Sequence, residues 1–301
     1  MIFCNCSEPS KIFKNDYSCL HECRHFYNIL FGGYATPRKH KVFSRLALNS
    51  YDILITGGIG MDNKQIEKLQ RLIDESSNIV FFGGAGVSTE SGIPDFRSVD
   101  GLYNQKYKYP PETILSHTFY MRNTDEFFEF YRDKMLCLGA KPNTAHKALA
   151  KLEDMGKLKA VITQNIDGLH QAAGSKKVLE LHGSVLRNYC EKCHKFFDVN
   201  AVVESEGVPL CECGGRIKPD VVLYEEGLDQ SILSESVKAI SEADMLIIGG
   251  TSLAVYPAAG LIDYYNGNKQ VLINKTPTQR DCMADLVVTG SIGEIFSQIK
   301  M

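Results

Sequence analysis

Apolar positions fall into two alternating patterns from residue 61 onward. Ile66, Leu69, Leu72 and Ile73 recur at helical spacing behind Asp62, a candidate N-cap with Gln65 three residues on, and so predict an amphipathic helix. Ile79, Val80, Phe81 and Phe82 follow without a polar break, which predicts a strand buried on both faces. Similar short runs at 160–163, 178–181, 245–248, 270–273 and 286–288 are separated by helical stretches. That alternation predicts an α/β fold built on a parallel sheet covered on both faces. Polar and glycine residues stand just after those runs: Gly84, Ala85 and Gly86; Gln164 and Asn165; His182; Gly250, Thr251 and Ser252; Asn274. Ligands of such sheets sit beyond the carboxyl ends of the strands, so the pattern itself gathers these residues on one edge.

The segment FGGAGVSTESGIPDFR at 82–97 carries the most chemistry. Its glycines Gly83, Gly84 and Gly86 let the backbone turn sharply and approach a pyrophosphate facing main-chain N–H groups, as in a dinucleotide site. A glycine turn also serves simply to pass from strand to helix, and alone it does not decide. Residues 98–143, rich in aromatics and containing Pro110 and Pro111, form an excursion expected to fold into helices that make a flexible cover. Cys190 and Cys193 form C-x2-C, and Cys211 and Cys213 form C-x-C, at zinc-ribbon spacing. Four thiolates close a tetrahedral shell with no place for water, which predicts one structural Zn2+. Cys137 and Cys282 stand apart and are expected to be ordinary packing residues.

Composition narrows the class. The chain has 301 residues, 44% of them apolar, enough for one large domain with a smaller appendage. A net charge of −3 supplies no broad basic surface, so nucleic acid is not an expected partner. No apolar run reaches the roughly 18 residues of a membrane span, so no membrane partner is expected either. Paired cysteines with metal spacing indicate a reducing compartment, and the expected location is cytoplasmic.

Residues 1–60 differ from the rest. Seven basic and four acidic residues give them +3 and leave −6 for the remainder. They show no helical period and no signal-peptide core, and a poorly ordered leader is expected. Cys4, Cys6, Cys19, His21, Cys23 and His25 are spaced too irregularly for a metal site. The stretch before Met61 can be encoded by a purine-rich sequence of ribosome-binding type, so Met61 is the expected start and the leader is expected to be untranslated.

Five motifs in order, GAGVSTESGIPDFRS, TQNIDGLH at 163–170, LHG at 181–183, the cysteine pairs and GTSLAVYP at 250–257, resemble the sirtuins, the NAD-dependent protein lysine deacylases. The resemblance covers residues 61–301. It implies a Rossmann-like sheet domain (61–185 and 221–301) with an inserted zinc module (186–220). It also implies NAD as co-substrate, acyl-lysine proteins as substrates and a monomer.

The roles it implies are these. His182 is the general base, and Asn165 and Asp167 complete the catalytic set. Asn165 positions ribose and the reacting water, Asp167 and Ile166 hold the nicotinamide carboxamide, and the acyl oxygen attacks the ribose C1′ carbon as nicotinamide leaves. Asp95, Phe96 and Arg97 form the cofactor loop, while Gly84, Ala85, Gly86, Thr89, Gln164, Gly250, Thr251, Ser252 and Asn274 complete the dinucleotide site. Thr89 and Asn274 also read as cap or turn residues. Val222, Leu223 and Tyr224 are the expected peptide contacts, reached by strand addition.

Four departures from the family pattern bear on these roles. Tyr224 and Glu225 stand where Phe and Gly are commoner. Gly83 replaces the usual threonine, which is expected to loosen the loop. Where family members that favour succinyl or malonyl lysine carry Tyr and Arg three residues apart, this chain has Tyr131 and Lys134. Lysine lacks the bidentate fork for a carboxylate, so acetyl or another neutral acyl group is expected.

Competing readings share parts of this pattern. A dehydrogenase would place an acidic residue about twenty positions past the glycines, where Lys106, Tyr107 and Lys108 stand instead. ADP-ribosyl transfer to protein, or an idle NAD or acyl-lysine sensor, remain the alternatives.

Overall fold

The computed structural model describes residues 63–96, 101 and 107–301. The leader, Asp62 and Arg97 lie outside the described residues.

Helix α1 (Asn63–Asp74) buries Ile66, Leu69 and Ile73 and leads into β1 (Ile79–Gly83). Strands β2 (Leu158–Thr163), β3 (Val178–Glu180), β7 (Met245–Gly249), β8 (Gln270–Asn274) and β9 (Leu286–Thr289) join β1 in a six-stranded sheet ordered β3-β2-β1-β7-β8-β9. All its pairings are parallel. Chain order therefore reverses between β1 and β7, the switch point at which a doubly wound sheet opens a crevice.

Alternation along β1 sends Ile79 and Phe81 to one face and Val80 and Phe82 to the other. The first face is covered by α1, by α5 (Thr144–Asp154) through Ala145, Leu149 and Leu152, and by α9 (Ile292–Ser297) through Ile292, Ile295 and Phe296. The second is covered by α8 (Gln230–Glu242) and the 3-10 turn Ala258–Tyr264. Each fully buried Leu, Ile or Phe here contributes about 1.5–3 kcal/mol.

The excursion after the glycine loop forms short helices α2 (Pro111–Ile114), α3 (His117–Arg122) and α4 (Thr124–Phe130), continued by a π turn over Tyr131–Met135. Tyr120, Phe127, Phe128 and Tyr131 are fully buried there and meet edge to face or stacked at 5.0–6.4 Å. This aromatic cluster is a core of its own. A short α6 (Leu169–Ala172) joins β2 to β3, and after β3 the chain builds a small antiparallel sheet, β4 (Gly183–Cys190), β5 (Phe196–Asp198) and β6 (Ile217–Val221), in the order β5-β4-β6. Helix α7 (Asn200–Val203) packs beside β5. Gly183, at φ +77, is needed where β4 starts: a Cβ there would sit 1.9 Å from the Asp220 carbonyl oxygen.

Candidate active site and metal centre

The loop after β1 is shaped by the backbone of its neighbour across the switch point. Gly84 and Gly86 donate their N–H groups to the carbonyls of Gly249 and Gly250, at 3.3 and 2.8 Å. A Cβ on Gly86 would lie 2.8 Å from Gly250 Cα, and one on Gly84 would lie 2.8 Å from Thr251 Cβ. These two amides are therefore occupied within the chain and do not face a phosphate as the sequence suggested. The Phe81 ring lies over Gly83, 2.6 Å from where a Cβ would stand, and fills the space a threonine would need.

The loop borders a cleft of about 1100 Å3 over the carboxyl ends of β1, β2, β7 and β8. That volume lies at the top of the range of about 300–1,000 Å3 usual for ligand pockets. Gly84, Ala85, Gly86, Thr89, Asp95 and Phe96 line it from the first loop, and Gln164, Asn165, Ile166 and Asp167 from the loop after β2. His182, Gly250, Thr251, Ser252 and Asn274 line it from the remaining strand ends, with Val222, Leu223 and Tyr224 opposite. Every described residue expected at the site from the sequence thus borders one cavity.

Hydrogen bonds fix these side chains. His182 Nδ1 lies 2.9 Å from the Gln164 carbonyl oxygen, so Nδ1–H donates there and Nε2 is left as an acceptor toward the cleft. Burial lowers the His182 pKa, partly offset by that carbonyl, and the ring is a neutral base at pH 7. Its backbone is pinned too, because Val222 donates to the His182 carbonyl at 3.0 Å. Asn165 Nδ2 donates to Ser88 Oγ at 3.0 Å, and Ser88 Oγ donates to Asp167 Oδ2 at 2.6 Å. Asp167 Oδ1 accepts the Leu169 amide at 2.9 Å, which starts α6. Gln164 Nε2 donates to Thr251 Oγ1 at 3.1 Å.

The turn-type reading of Thr89 and Asn274 is also present in the structure. Thr89 Oγ1 donates to the Gly86 carbonyl, and the Asn274 amide clamps Thr251 through both its N–H and its carbonyl. Both residues still border the cleft.

Sequence reasoning missed the layer beneath. Ser88 is the hub of the Asn165–Asp167 pair, and His146 Nε2 stands 3.5 Å from it. His146 belongs to a capping box with Asn143 at the start of α5, whose signature N-x-x-H was legible but unread. His170, quoted in the TQNIDGLH motif without a role, lies 4.8 Å from His146 with both ring nitrogens unpartnered. Burial pushes His146 down to about 4, against the pull of Asp167, and pushes His170 down to about 3, helped by His146. Cys137 is not merely packing: it lines the cleft, where burial and the Asp167 charge raise its pKa and keep it a thiol. Cys282 is exposed.

The four cysteines of the small lobe converge. Their sulfurs lie within 4.8 Å of one another, with Cys190–Cys213 at 3.4 Å and Cys193–Cys211 at 3.7 Å. Tetrahedral zinc with Zn–S near 2.3 Å requires sulfurs about 3.8 Å apart, so the donor set fits. The amides of Cys193 and Lys192 donate to Cys190 Sγ and lower its pKa, while against the pull of the Lys195 amide the bonds to Cys190 and Cys213 raise that of Cys193, so the sulfurs titrate as a set.

A doubly wound sheet with a glycine loop, a histidine at its carboxyl edge and a four-cysteine lobe matches one family model, Sir2 family, over residues 84–257, and the chain belongs to that family. Among curated relatives it is 63% identical over 239 residues to the NAD-dependent protein deacetylase of Clostridium acetobutylicum, covering 78% of this chain and 98% of that protein. It is 62% identical over 243 residues to the NAD-dependent protein deacetylase of Clostridium perfringens, covering 79% and 99%. A solved Sir2–p53 peptide–NAD+ structure superposes with a TM-score of 0.70 at 42% identity, covering 77% of this chain and 96% of that one. Among the described residues no helix is long and apolar enough to cross a membrane.

Proposed function

We propose that this protein is an NAD-dependent protein lysine deacetylase that removes acetyl or another neutral acyl group and releases nicotinamide, 2′-O-acyl-ADP-ribose and free lysine. The observation that carries this reading is the neutral His182, its Nε2 open to a cleft shared by the glycine loop and segment 222–224. Bound NAD supplies an electrophilic ribose carbon with nicotinamide as its leaving group. His182 takes a proton at Nε2 and returns it, and its depressed pKa keeps that nitrogen unprotonated at neutral pH. Asn165, Asp167 and Ser88 act as one bonded group, in which the short Ser88–Asp167 bond holds the carboxylate oriented at the cleft. Ile166 and Phe96, packed against the aromatic cover, exclude water from that end.

Segment 222–224 is the peptide side. Val222, Leu223 and Tyr224 already donate their N–H groups to His182, Glu226 and Leu115, so a peptide strand here would pair through carbonyls and side chains. A neutral acyl group is favoured because Tyr131 is sealed in the cover core, Arg132 points into the small lobe, and Lys134, the basic residue of that turn bordering the cleft, pairs with Asp133 at 2.9 Å. The cysteine lobe holds one structural Zn2+, since four thiolates leave no open position.

The test is nicotinamide release from NAD with acetyl-, succinyl- and long-chain acyl-lysine peptides, with mass spectrometry of both products. Peptide-dependent release with a matching O-acyl-ADP-ribose is expected, and His182→Ala should lower turnover by about 10²–10⁴-fold with NAD affinity retained. ADP-ribose appearing on protein, or binding without turnover, would replace this reading by a transferase or a sensor.

A further inference from the structure

The cover helices and the small lobe are tied by arginines running in both directions. From the lobe, Arg216 bonds Glu191 at 2.8 Å, lays its guanidinium 5.0 Å from the Tyr120 ring centre and reaches Thr124 Oγ1 at 3.3 Å. From the cover, Arg132 donates Nε to the Val202 carbonyl at 2.8 Å and Nη2 to Ser205 Oγ at 2.8 Å, and also to the Gly207 carbonyl. Its guanidinium lies 5.5 Å from the Phe128 ring centre. These hydrogen-bond acceptors are uncharged oxygens around the end of α7, a weaker compensation for a half-buried cation than a carboxylate would give. Among the described residues no carboxylate bonds Arg132, whose charge is supported only at longer range by Glu129, so its three directed bonds point to a geometric task.

Its position supplies the task. Arg132 is the second residue of the π turn, a widened turn of the kind found at functional sites. Tyr131 before it is anchored in the aromatic core with no exposed surface. Lys134 and Met135 after it, and Cys137 and Leu138 beyond, line the cleft. The turn is thus held at two points, one in each neighbouring body, and the wall residues hang from it.

We propose that Arg132 is a positioning residue that sets the width of the acyl-facing wall by tying the π turn to the zinc-bearing lobe. Acyl-length selectivity is then decided partly outside the cleft, by the loop 202–207. The selectivity part rests on the deacetylase reading; the positioning part does not. A lysine offers one rotatable ammonium where the guanidinium engages three acceptors from a planar fork, so it replaces the tie incompletely.

The experiment compares wild type, Arg132→Lys and Arg132→Met, each checked for full zinc content. It measures kcat/KM for acetyl- and octanoyl-lysine peptides at saturating NAD, and amide hydrogen exchange over 131–138. In Arg132→Met the octanoyl-to-acetyl ratio should rise by about fivefold or more, the scale of one lost hydrogen bond, with KM for NAD held within about twofold. Exchange over 131–138 should quicken by about tenfold while β1 and β7 stay protected. Arg132→Lys should fall between. An unchanged ratio overturns the selectivity claim even where both activities drop together, because loss of folded protein lowers both alike. If wild type cleaves no acyl peptide, the deacetylase reading falls, and exchange over 131–138 still decides the tie: unchanged exchange in both variants overturns it. Should Arg132→Met lose zinc, the milder Arg132→Lys carries the same comparison.

Discussion

Every residue of β1, β7 and β8 is buried, whereas around the cysteines of the small lobe the buried cluster is only Cys190, Cys211 and Ile217, its other buried apolar residues, Val185, Val202 and Val221, packing with the cover, and Phe196 and Leu210 are largely exposed. The sheet gains its stability from apolar area on both faces. The lobe has too little of it and relies on its sulfurs and on the arginine ties to the cover. Both regions border the same cleft, so the chemistry is floored by a body that folds by burial and walled by one that folds by coordination. Damage to the two regions should therefore be separable.

Removing the metal should have the largest effect, and on the lobe alone. Binding to a four-thiolate site is folding free energy, on the order of 10 kcal/mol for small zinc modules. Chelation, or Cys190→Ser with Cys211→Ser, should abolish amide protection over 183–221 and peptide-dependent turnover while the sheet keeps its cooperative unfolding. A metal-free protein with a protected lobe would contradict the contrast.

Acid should instead act on the sheet. His146 and His170 are held neutral beneath the sheet edge, with folded pKa values of about 4 and about 3. The unfolded chain takes up protons that the folded one refuses, so their contribution is fully present above about pH 6.5 and is lost as pH falls toward those values. Each histidine adds up to about 1.4 kcal/mol per pH unit to that loss. Urea midpoints from pH 7 to 5 should fall, and His170→Phe should flatten the slope by one proton. An equal slope in the variant would refute the assignment.

The smallest effect is expected at Glu225, beside the cleft. Its φ of +75 suits glycine, but its carboxylate accepts the Thr118 amide at 2.9 Å at the start of α3, and that bond lowers its pKa. Glu225→Gly relieves left-handed backbone strain and loses that bond, so the two offset and Tm should move by less than about 4 °C. A larger loss would mean that the carboxylate holds more than the helix end.

The sheet was legible because strands buried on both faces are written as unbroken apolar runs, and the residues just after those runs do gather on one cleft, though their roles came from the family resemblance. The metal site was legible from spacing alone. What stayed hidden depends on contacts between distant segments. Ser88 becomes a hub only when 88, 146 and 167 meet, Gly83 is explained only by the ring of Phe81, and Arg132 reads as a surface charge until α7 stands beside it. The amides of Gly84 and Gly86 look free to bind phosphate until β7 supplies Gly249 and Gly250 as their acceptors.

The pairing of Ile79 with Met245 has a consequence for the protein's synthesis. Strand β1 can dock on β2 while the ribosome is still working, but its other edge stays unpaired until β7 emerges, long after the cysteine lobe. During that interval an apolar strand edge is open to wrong partners, and the glycine loop has no floor. The cleft is therefore among the last features of the nascent chain to form, and a ribosome-stalled fragment ending before residue 245 should hold zinc without yet holding NAD.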